Sequence, residues 1–393
     1  MPVIDRIVEF GADMQAWRRD IHRHPEIAFQ EHRTSDIVAE KLAAWGIEVH
    51  RGLAGTGVVG LLDGAHGNGR MIGLRADMDA LPIQETNDFA HRSVHDGKMH
   101  ACGHDGHTAM LLGAARYLAE SRSFSGRVTL IFQPAEEGEG GARVMIEEGL
   151  FDQFPVEAVY GMHNMPGKAA GRIEVRPGPL LASSDAFDIT VTGVGAHAAM
   201  PHQGVDPVVV AAQIVLGLQT IVSRQNDPVD SAVVSVTQVH TGDALNVIPE
   251  EAVIRGSVRA FRPETRDRIE REVGRISEGI AAAHGATAAV TYDRRYPALV
   301  NAPHETTLAA AAAADVVGEA NVSTGTPPLM GSEDFAYMLQ HKPGCYVLLG
   351  NGADGMPGGC GVHNPNYDFN DEIAVIGASY WARLVERLLP AGS

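Results

Sequence analysis

The sequence predicts an α/β protein with a mainly parallel sheet and a smaller α+β module inserted into it. In residues 1–184 and 297–393, short apolar strands alternate with helical segments, which is typical of a parallel sheet covered by helices. In residues 185–296, apolar and polar residues alternate with a period of two, which favours a half-exposed antiparallel sheet. We therefore expect two domains, with residues 185–296 forming the insertion.

The elements of the larger domain follow from their periodicity and from the turn residues that bound them. Apolar residues at helical spacing predict helices, and short apolar runs between turn-formers predict strands. Before the insertion we expect, in chain order, helices over 13–24 and 31–45, a strand over 71–74, a helix over 108–120, and strands over 128–132 and 156–162. After it we expect a helix over 305–317, a strand over 345–349 and a helix over 371–389.

The insertion has the element order of a ferredoxin-like module. The predicted order is strand, helix, strand, strand, helix, strand, and the ranges are 186–192, 207–223, 232–239, 252–260, 264–283 and 286–293.

Composition and charge exclude several classes of function. A chain of 393 residues with 45% hydrophobic residues indicates a globular protein of two domains. The net charge of −18 argues against nucleic acid as a partner, although one arginine suffices to bind a small anion. Apolar runs such as 207–218 are too short to cross a bilayer, and the N-terminus lacks a basic start followed by an apolar stretch. Three cysteines, one of them among histidines, indicate a reduced compartment. We therefore expect a cytoplasmic protein that does not bind a membrane.

Residues 100–107 contain the ingredients of a metal site. One cysteine, three histidines and one aspartate lie there between glycines. Thiolate and imidazole both suit zinc and its first-row neighbours. The segment alone cannot supply a full coordination shell, so further ligands must come from elsewhere in the chain.

Three polar clusters directly follow predicted strands. They contain Arg75 with Asp77, Glu136 with Glu137, and His163. Because the active site of an open α/β sheet gathers at the carboxyl ends of its strands, we expect these clusters to share one rim.

Glu136 and Glu137 are expected to divide their labour. One carboxylate can ligate a metal while its neighbour serves as general base for the attacking water. An exposed acidic turn is the alternative for such a pair.

His163 and His363 would each, taken alone, be read as hydrogen-bonded structural residues. Together with Cys102, His104 and Glu137 they give five ligands, the number that a two-metal centre needs.

Five segments of the chain closely resemble those of hippuricase-type amidohydrolases. These enzymes are N-acyl amino acid hydrolases, similar to aminoacylases and indole-acetyl-amino acid hydrolases and, more distantly, to dinuclear-zinc carboxypeptidases. The resemblance extends over residues 18–371 and is carried by segments 18–26, 75–82, 100–107, 133–138 and 361–370.

The resemblance implies a role for each residue of the site. It implies Glu136 as the base, and as metal ligands it implies Cys102, His104, Glu137, His163 and His363. The carboxypeptidase relatives carry a metal-binding histidine where this chain has Arg75, so Cys102 is expected to complete the site here. Separately, the resemblance implies that Asp77 assists catalysis.

Three residues of the insertion are also implicated by the resemblance alone. It implies that His197 reaches across a dimer and steadies the oxyanion, and that Asn246 and Arg259 bind the substrate carboxylate. From the residues alone, His197 would be read as structural and Arg259 as part of a solvated face.

The sequence therefore predicts a metal-dependent amidohydrolase that cleaves N-acyl amino acids with two divalent metal ions per subunit. Thiolate ligation favours zinc, while manganese, cobalt and nickel stay open. The insertion is expected to act as a lid and to form a homodimer or a dimer of dimers. Two alternatives remain, a dipeptidase or carboxypeptidase with the same centre and a catalytically silent metal- or ligand-binding protein. The intact Glu136 argues against the silent protein.

Overall fold

The computed structural model of the chain describes residues 3–391, which form two compact units. Unit 1 contains the described parts of residues 1–180 and 334–393 together with Val300–Pro327, and unit 2 contains Leu181–Leu299 and Pro328–Glu333. The sequence placed the insertion at 185–296 and assigned 328–333 to the larger domain. Compared with the predicted insertion, unit 2 therefore starts four residues earlier, ends three residues later and also includes Pro328–Glu333.

The strands of the described residues are β1 Glu48–Arg51, β2 Val58–Asp63, β3 Met71–Asp77, β4 Arg127–Gln133, β5 Ala158–Pro166, β6 Ile173–Glu174, β7 Gly178–Leu181, β8 Asp185–Thr192, β9 Ala196–His197, β10 Ala232–Thr241, β11 Val247–Ile248, β12 Glu251–Ala260, β13 Thr287–Arg294, β14 Leu299–Asn301, β15 Val322–Ser323 and β16 Gly344–Gly352.

The α-helices of the described residues are α1 Asp5–Glu9, α2 Gly11–Arg23, α3 His32–Ala44, α4 His104–Ser121, α5 Gly141–Glu147, α6 Leu150–Gln153, α7 Pro207–Thr220, α8 Pro263–Ala283, α9 Pro303–Val317, α10 Phe335–His341 and α11 Ala374–Leu388. Short 3-10 turns cover Pro201–Gln203, Glu319–Asn321 and Asp371–Ile373, and a π-helical turn over Ile221–Gln225 follows α7.

Unit 1 is built around an eight-stranded sheet with the strand order β1-β2-β4-β3-β5-β16-β6-β15. The central strands β4, β3, β5 and β16 are parallel, whereas β1–β2, β2–β4 and β16–β6 are antiparallel pairs. The predicted α/β class is thus confirmed, but the sheet is mixed rather than mainly parallel. The connection from β1 to β2 is too short for a parallel crossover, so these strands pair as a hairpin.

The helix that follows the metal-site segment begins earlier than its periodicity predicts. The sequence indicated a helix over 108–120, whereas α4 starts at His104. Gly103 precedes it with φ +99°, and a Cβ at this position would lie 2.2 Å from Asn164 Oδ1. Glycine therefore permits a tight turn that places His104 in the first helical turn.

Two strands extend further than predicted and include polar residues of the site. β3 continues to Asp77 and β5 to Pro166, so Arg75, Asp77 and His163 lie within strands rather than after them. Arg75 and Asp77 are buried there because they bond each other and their neighbours.

Unit 2 contains a four-stranded antiparallel sheet in the order β10-β12-β8-β13. Its main elements follow the chain order strand, α7, strand, strand, α8, strand. On β8, Phe187, Ile189 and Val191 are buried while the intervening residues are not, as a period of two predicts. These side chains share a core with residues of α7 and α8.

One helix in the described chain, Pro207–Gln225, is long and apolar enough by length and composition to span a membrane. It is longer than the apolar run 207–218 because the π-helical turn continues it. Core helices pass the same test, and Val210, Ile214 and Leu218 pack in the unit 2 core. The segment is therefore weak evidence for a membrane span.

Candidate metal centre

The structure brings the five predicted ligands and the predicted base, all of them in unit 1, into one group of side chains. We call this group the metal cluster. In each of three overlapping trios, one potential ligand atom per residue lies within 4.8 Å of the other two. The trios are Cys102, His104 and His163; Cys102, Glu137 and His363; and His104, Glu136 and Glu137.

Four separate segments supply these side chains. Cys102 and His104 flank Gly103 at the start of α4, Glu137 follows β4, His163 lies in β5, and His363 lies in the loop after β16. The His363 N–H donates to the carbonyl of Ala101 (2.7 Å), which ties this loop to the metal-site segment. His363 has a left-handed φ of +62°, a strained conformation of the kind that clusters at functional sites.

Hydrogen bonds orient two of the imidazoles for metal binding. The Nδ1 of His104 donates to the carbonyl of Asp79 (2.9 Å), and the Nδ1 of His163 donates to the carbonyl of Asn164 (2.6 Å). Once each ring is neutral, as a bound cation requires, Nε2 carries the lone pair. His163 Nε2 lies 3.3 Å from Cys102 Sγ, and within the described residues the buried His104 Nε2 has no hydrogen-bond partner. Histidine ligands typically bind a metal through one ring nitrogen while the other ring nitrogen donates a hydrogen bond, as Nδ1 does here.

The electrostatics of the cluster favour a cation. Burial and the charges of Glu137 and Glu136 raise the pKa of the Cys102 thiol. Burial alone would lower the pKa of His104, but Asp77 and Asp79 outweigh it and raise the pKa to about 10. A cation must displace the protons held here, so metal binding will depend on pH. One thiolate, three imidazoles and carboxylates form a donor set that fits zinc and its first-row neighbours.

Glu136 and Glu137 face different partners, as expected for a base and a ligand. Glu136 is buried, and its Oε1 accepts a hydrogen bond from the N–H of Asp334 (3.3 Å). Glu137 Oε1 lies 3.1 Å from His363 Nε2, and its own N–H donates to Asp79 Oδ2 (2.9 Å).

Asp77 is held behind the cluster by hydrogen bonds from neighbouring side chains. Its carboxylate accepts from Arg75 Nη1 (2.6 Å) and His107 Nδ1 (2.6 Å), and it lies 3.8 Å from His104 Nε2. Burial would raise the pKa of Asp77, but His104, His107 and Arg75 hold it well below its ordinary value. Asp77, His107 and His104 could themselves hold an ion. However, the short bonds of Asp77 to Arg75 and His107 favour a supporting role.

The three predicted substrate-contacting residues lie in unit 2. His197 and Asn246 are both exposed. They lie close together, since the N–H of Ala198 donates to the carbonyl of Asn246 (3.0 Å). His197 Nδ1 accepts the N–H of Ala199 (3.1 Å), which leaves the ring proton on the exposed Nε2. Arg259 is half-buried on β12, and its Nη1 donates to Ser257 Oγ (2.6 Å).

The family model described as peptidase family M20/M25/M40 matches residues 73–387, which include every residue of the metal cluster. The chain belongs to this family.

Relatives of this M20 chain cover nearly its whole length. It is 41% identical to the hippurate hydrolase of Campylobacter jejuni, over 99% of this chain and 100% of that protein. It is 40% identical to the N-acetyl-L-cysteine deacetylase of Bacillus subtilis, over 93% and 85%. It is 39% identical to the thermostable carboxypeptidase 2 of Saccharolobus solfataricus, over 89% and 90%.

A solved structure agrees with the M20 fold. The YXEP protein of Bacillus subtilis, described as a dinuclear metal binding peptidase of the M20 family, superposes with a TM-score of 0.84. It is 36% identical, and the match covers 98% of this chain and 99% of that protein.

Sequence reasoning missed several residues that support the M20 metal cluster. Asp334 accepts from Arg75 Nη2 (2.9 Å) and from Gln133 Nε2 (2.8 Å), so it links the ends of β3 and β4. Asn164 Oδ1 lies 2.7 Å from His107 Nε2. The sequence shows only that these residues are polar and lie at the end of an apolar strand or at the start of a helix. It does not show which residues they will bond in the fold.

Proposed function

We propose that the chain hydrolyses the amide bond of N-acyl amino acids and releases a carboxylic acid and a free amino acid. The observation that carries this proposal is the cluster of Cys102, His104, Glu137, His163 and His363 with the buried Glu136 beside it. The names of two relatives, hippurate hydrolase and N-acetyl-L-cysteine deacetylase, denote this type of reaction and support it.

The five ligands would hold two divalent ions. When bound, such ions supply Lewis acidity and lower the pKa of water. The Cys102 thiolate favours zinc, and manganese, cobalt and nickel are the alternatives that imidazole and carboxylate ligands accept.

Glu136 would move the proton in both halves of the reaction. Its carboxylate takes a proton from the water whose oxygen attacks the amide carbon. It then gives that proton to the amide nitrogen as the carbon–nitrogen bond breaks. The Asp334 N–H bonded to Glu136 Oε1 supports this role because it limits the orientations of the carboxylate.

Residues of unit 2 would recognise the substrate. The Nε2–H of His197 would donate to the developing oxyanion, and Arg259 with Asn246 would bind the carboxylate of the amino acid. The proton on His197 Nε2, set by the bond from Ala199, supports the first of these roles.

We also propose that unit 2 forms a homodimer or a dimer of dimers and serves as a lid. The location would be cytoplasmic. The small amide substrate fits the family, and the net charge of −18 disfavours nucleic acid.

A carboxypeptidase or dipeptidase activity is the second candidate, and the match to thermostable carboxypeptidase 2 favours it. The test measures bound metal and then turnover of hippurate, N-acetyl and indole-acetyl amino acids against free dipeptides and blocked peptides. We expect the highest kcat/KM for an N-acyl amino acid. Preferential cleavage of dipeptides or peptides would replace the first proposal with the second. If the fully metal-loaded protein hydrolyses none of these substrates, it is instead a catalytically silent metal- or ligand-binding protein.

A further inference from the structure

Glu31, just before α3, makes three hydrogen bonds with its buried carboxylate. Its Oε1 accepts the N–H of Ala135 (3.0 Å) and the N–H of Phe29 (3.1 Å). Its Oε2 accepts the hydroxyl of Thr56 (2.7 Å). Glu31 lies outside the metal cluster, and nothing in the proposed reaction yet uses it.

The residue held by Glu31 has a strained backbone directly before the proposed base. Ala135 is buried with a left-handed φ of +56°, a conformation that is unfavourable for a residue with a Cβ. Its N–H is bonded to Glu31, and its carbonyl accepts the N–H of Gly141 (2.9 Å). Bonds at both ends of Ala135 therefore maintain the turn that sets the direction of Glu136.

A second carboxylate holds the other side of Glu136. The N–H of Glu137 donates to Asp79 Oδ2 (2.9 Å), and Asp79 Oδ1 lies 3.2 Å from His104 Nδ1. Asp79 thus couples Glu137 to a neighbouring ligand. Glu31 and Asp79 bracket Glu136 by binding the N–H groups of the residues before and after it.

We propose that Glu31 is a positioning residue for the hydrolytic reaction. By holding the N–H of Ala135, it fixes Glu136 in the orientation for proton transfer and Glu137 in the orientation for metal binding. This inference rests on the proposed roles of Glu136 and Glu137.

The role of Glu31 depends on its acceptor oxygens more than on its charge. A glutamine can accept both N–H groups through Oε1 and donate from Nε2 to the Thr56 hydroxyl, which can rotate. Burial, partly offset by the bond from Thr56, raises the pKa of Glu31 to about 7, so its neutral form is accessible near neutral pH. Glu31→Gln should therefore preserve the function that Glu31→Ala removes.

The test compares Glu31→Ala and Glu31→Gln with a matched control, Glu26→Ala. Glu26 also lies near the start of α3, where its carboxylate accepts the N–H of Arg33 (3.0 Å) and of Thr34 (2.9 Å). Its loss weakens the same helix start without removing a bond to the turn before Glu136. Each full-length protein is freed of metal, titrated with Co²⁺ by visible absorption, and assayed for kcat and KM on hippurate at saturating metal.

We expect Glu31→Ala to weaken Co²⁺ binding by about 10- to 100-fold and to lower kcat more than it changes KM. Glu31→Gln and Glu26→Ala should stay close to wild type. A folded Glu31→Ala protein with wild-type Co²⁺ affinity and kcat would overturn the proposal. An equal loss in Glu26→Ala would also overturn it, because the effect would then be a general structural one.

If Glu31→Ala does not fold, Thr56→Val replaces it in the test. This variant removes one hydrogen bond to Glu31 and leaves the Glu31 side chain in place. Weaker Co²⁺ binding with lower kcat supports the proposal, and wild-type values for both contradict it. A wild-type protein that binds Co²⁺ but hydrolyses no N-acyl amino acid would defeat the proposed function instead. The comparison of Co²⁺ affinities among the variants would still decide the role of Glu31.

Discussion

Glu136 and Glu137 are neighbours in sequence but have different surroundings. Glu136 is buried and bonded to a backbone N–H, whereas Glu137 lies beside His363 and belongs to a trio with Cys102. A carboxylate close to a dication but outside its ligand set is suited to carry a proton. The two residues therefore allow base chemistry and metal binding to be separated experimentally.

We predict that Glu136→Gln lowers kcat by about 10² to 10⁴-fold, because an amide cannot take the proton from water. Its metal content, measured by mass spectrometry of the purified protein, should equal that of wild type. Glu137→Gln is the matched control, and it should lose metal as well as activity. Full turnover in a metal-loaded Glu136→Gln protein would contradict the assignment of the base.

Helices α2 and α4 are joined by a buried ion pair behind the metal cluster. His22 on α2 places Nδ1 2.9 Å from Asp105 Oδ2 and Nε2 3.1 Å from Glu85 Oε1. Asp105 is adjacent to His104 on α4. Burial alone would lower the pKa of His22, but the bonds to Asp105 and Glu85 outweigh it and raise the pKa to about 9.

The raised pKa of His22 makes the stability of this helix pair depend on pH. A histidine whose pKa rises on folding from 6.5 to about 9 stabilises the fold fully below pH 6.5 and loses that effect as the pH passes 9. The contribution is on the order of 3 kcal/mol. We predict that the difference in denaturation midpoint between metal-free wild type and His22→Gln narrows between pH 6.5 and 9.5. A constant difference over this range would exclude a charged His22.

Periodicity located most elements but not all of their ends or their supporting contacts. It indicated a helix after residue 107 but not its start at His104, because that start depends on the left-handed Gly103. The five proposed metal ligands came instead from residue chemistry and from the family resemblance, and the structure brings these side chains together. It did not predict the contact of Glu31 with Ala135, 104 residues away, or that of Asp334 with Glu136, 198 residues away. A hydrogen bond between a carboxylate and a backbone N–H far away in the chain produces no recognisable pattern in the local sequence.

At the scale of the whole molecule, the proposed dimer needs a surface that can bind a second copy, and unit 2 has an unpaired sheet edge and exposed apolar side chains. β10 is an edge strand, and Val239 on it is exposed. Val209 and Leu216 on α7 are also exposed, with Leu216 at 70%. Edge strands pair readily with another chain, and a two-fold dimer would use the same patch on both copies.

We predict that the wild-type protein is at least dimeric by light scattering and that the double variant Val239→Lys with Leu216→Asp is monomeric. A lysine on an edge strand and a charge on the apolar helix face both disfavour pairing. Val94→Lys, which alters an exposed valine of unit 1, is the control and should leave the assembly unchanged. A monomeric wild type, or a double variant that still assembles, would contradict the proposed interface.

The proposed dimer and the proposed role of His197 can be tested together by mixing two inactive variants. If His197 acts on the site of the partner subunit, then Glu136→Gln and His197→Ala each inactivate both sites of their own homodimer. Subunit exchange between equal amounts yields half heterodimers, each with one complete site, so about a quarter of wild-type kcat should return. If His197 instead acts within its own subunit, every site in the mixture lacks one group. Unchanged low activity after confirmed exchange would therefore exclude the action of His197 across the dimer.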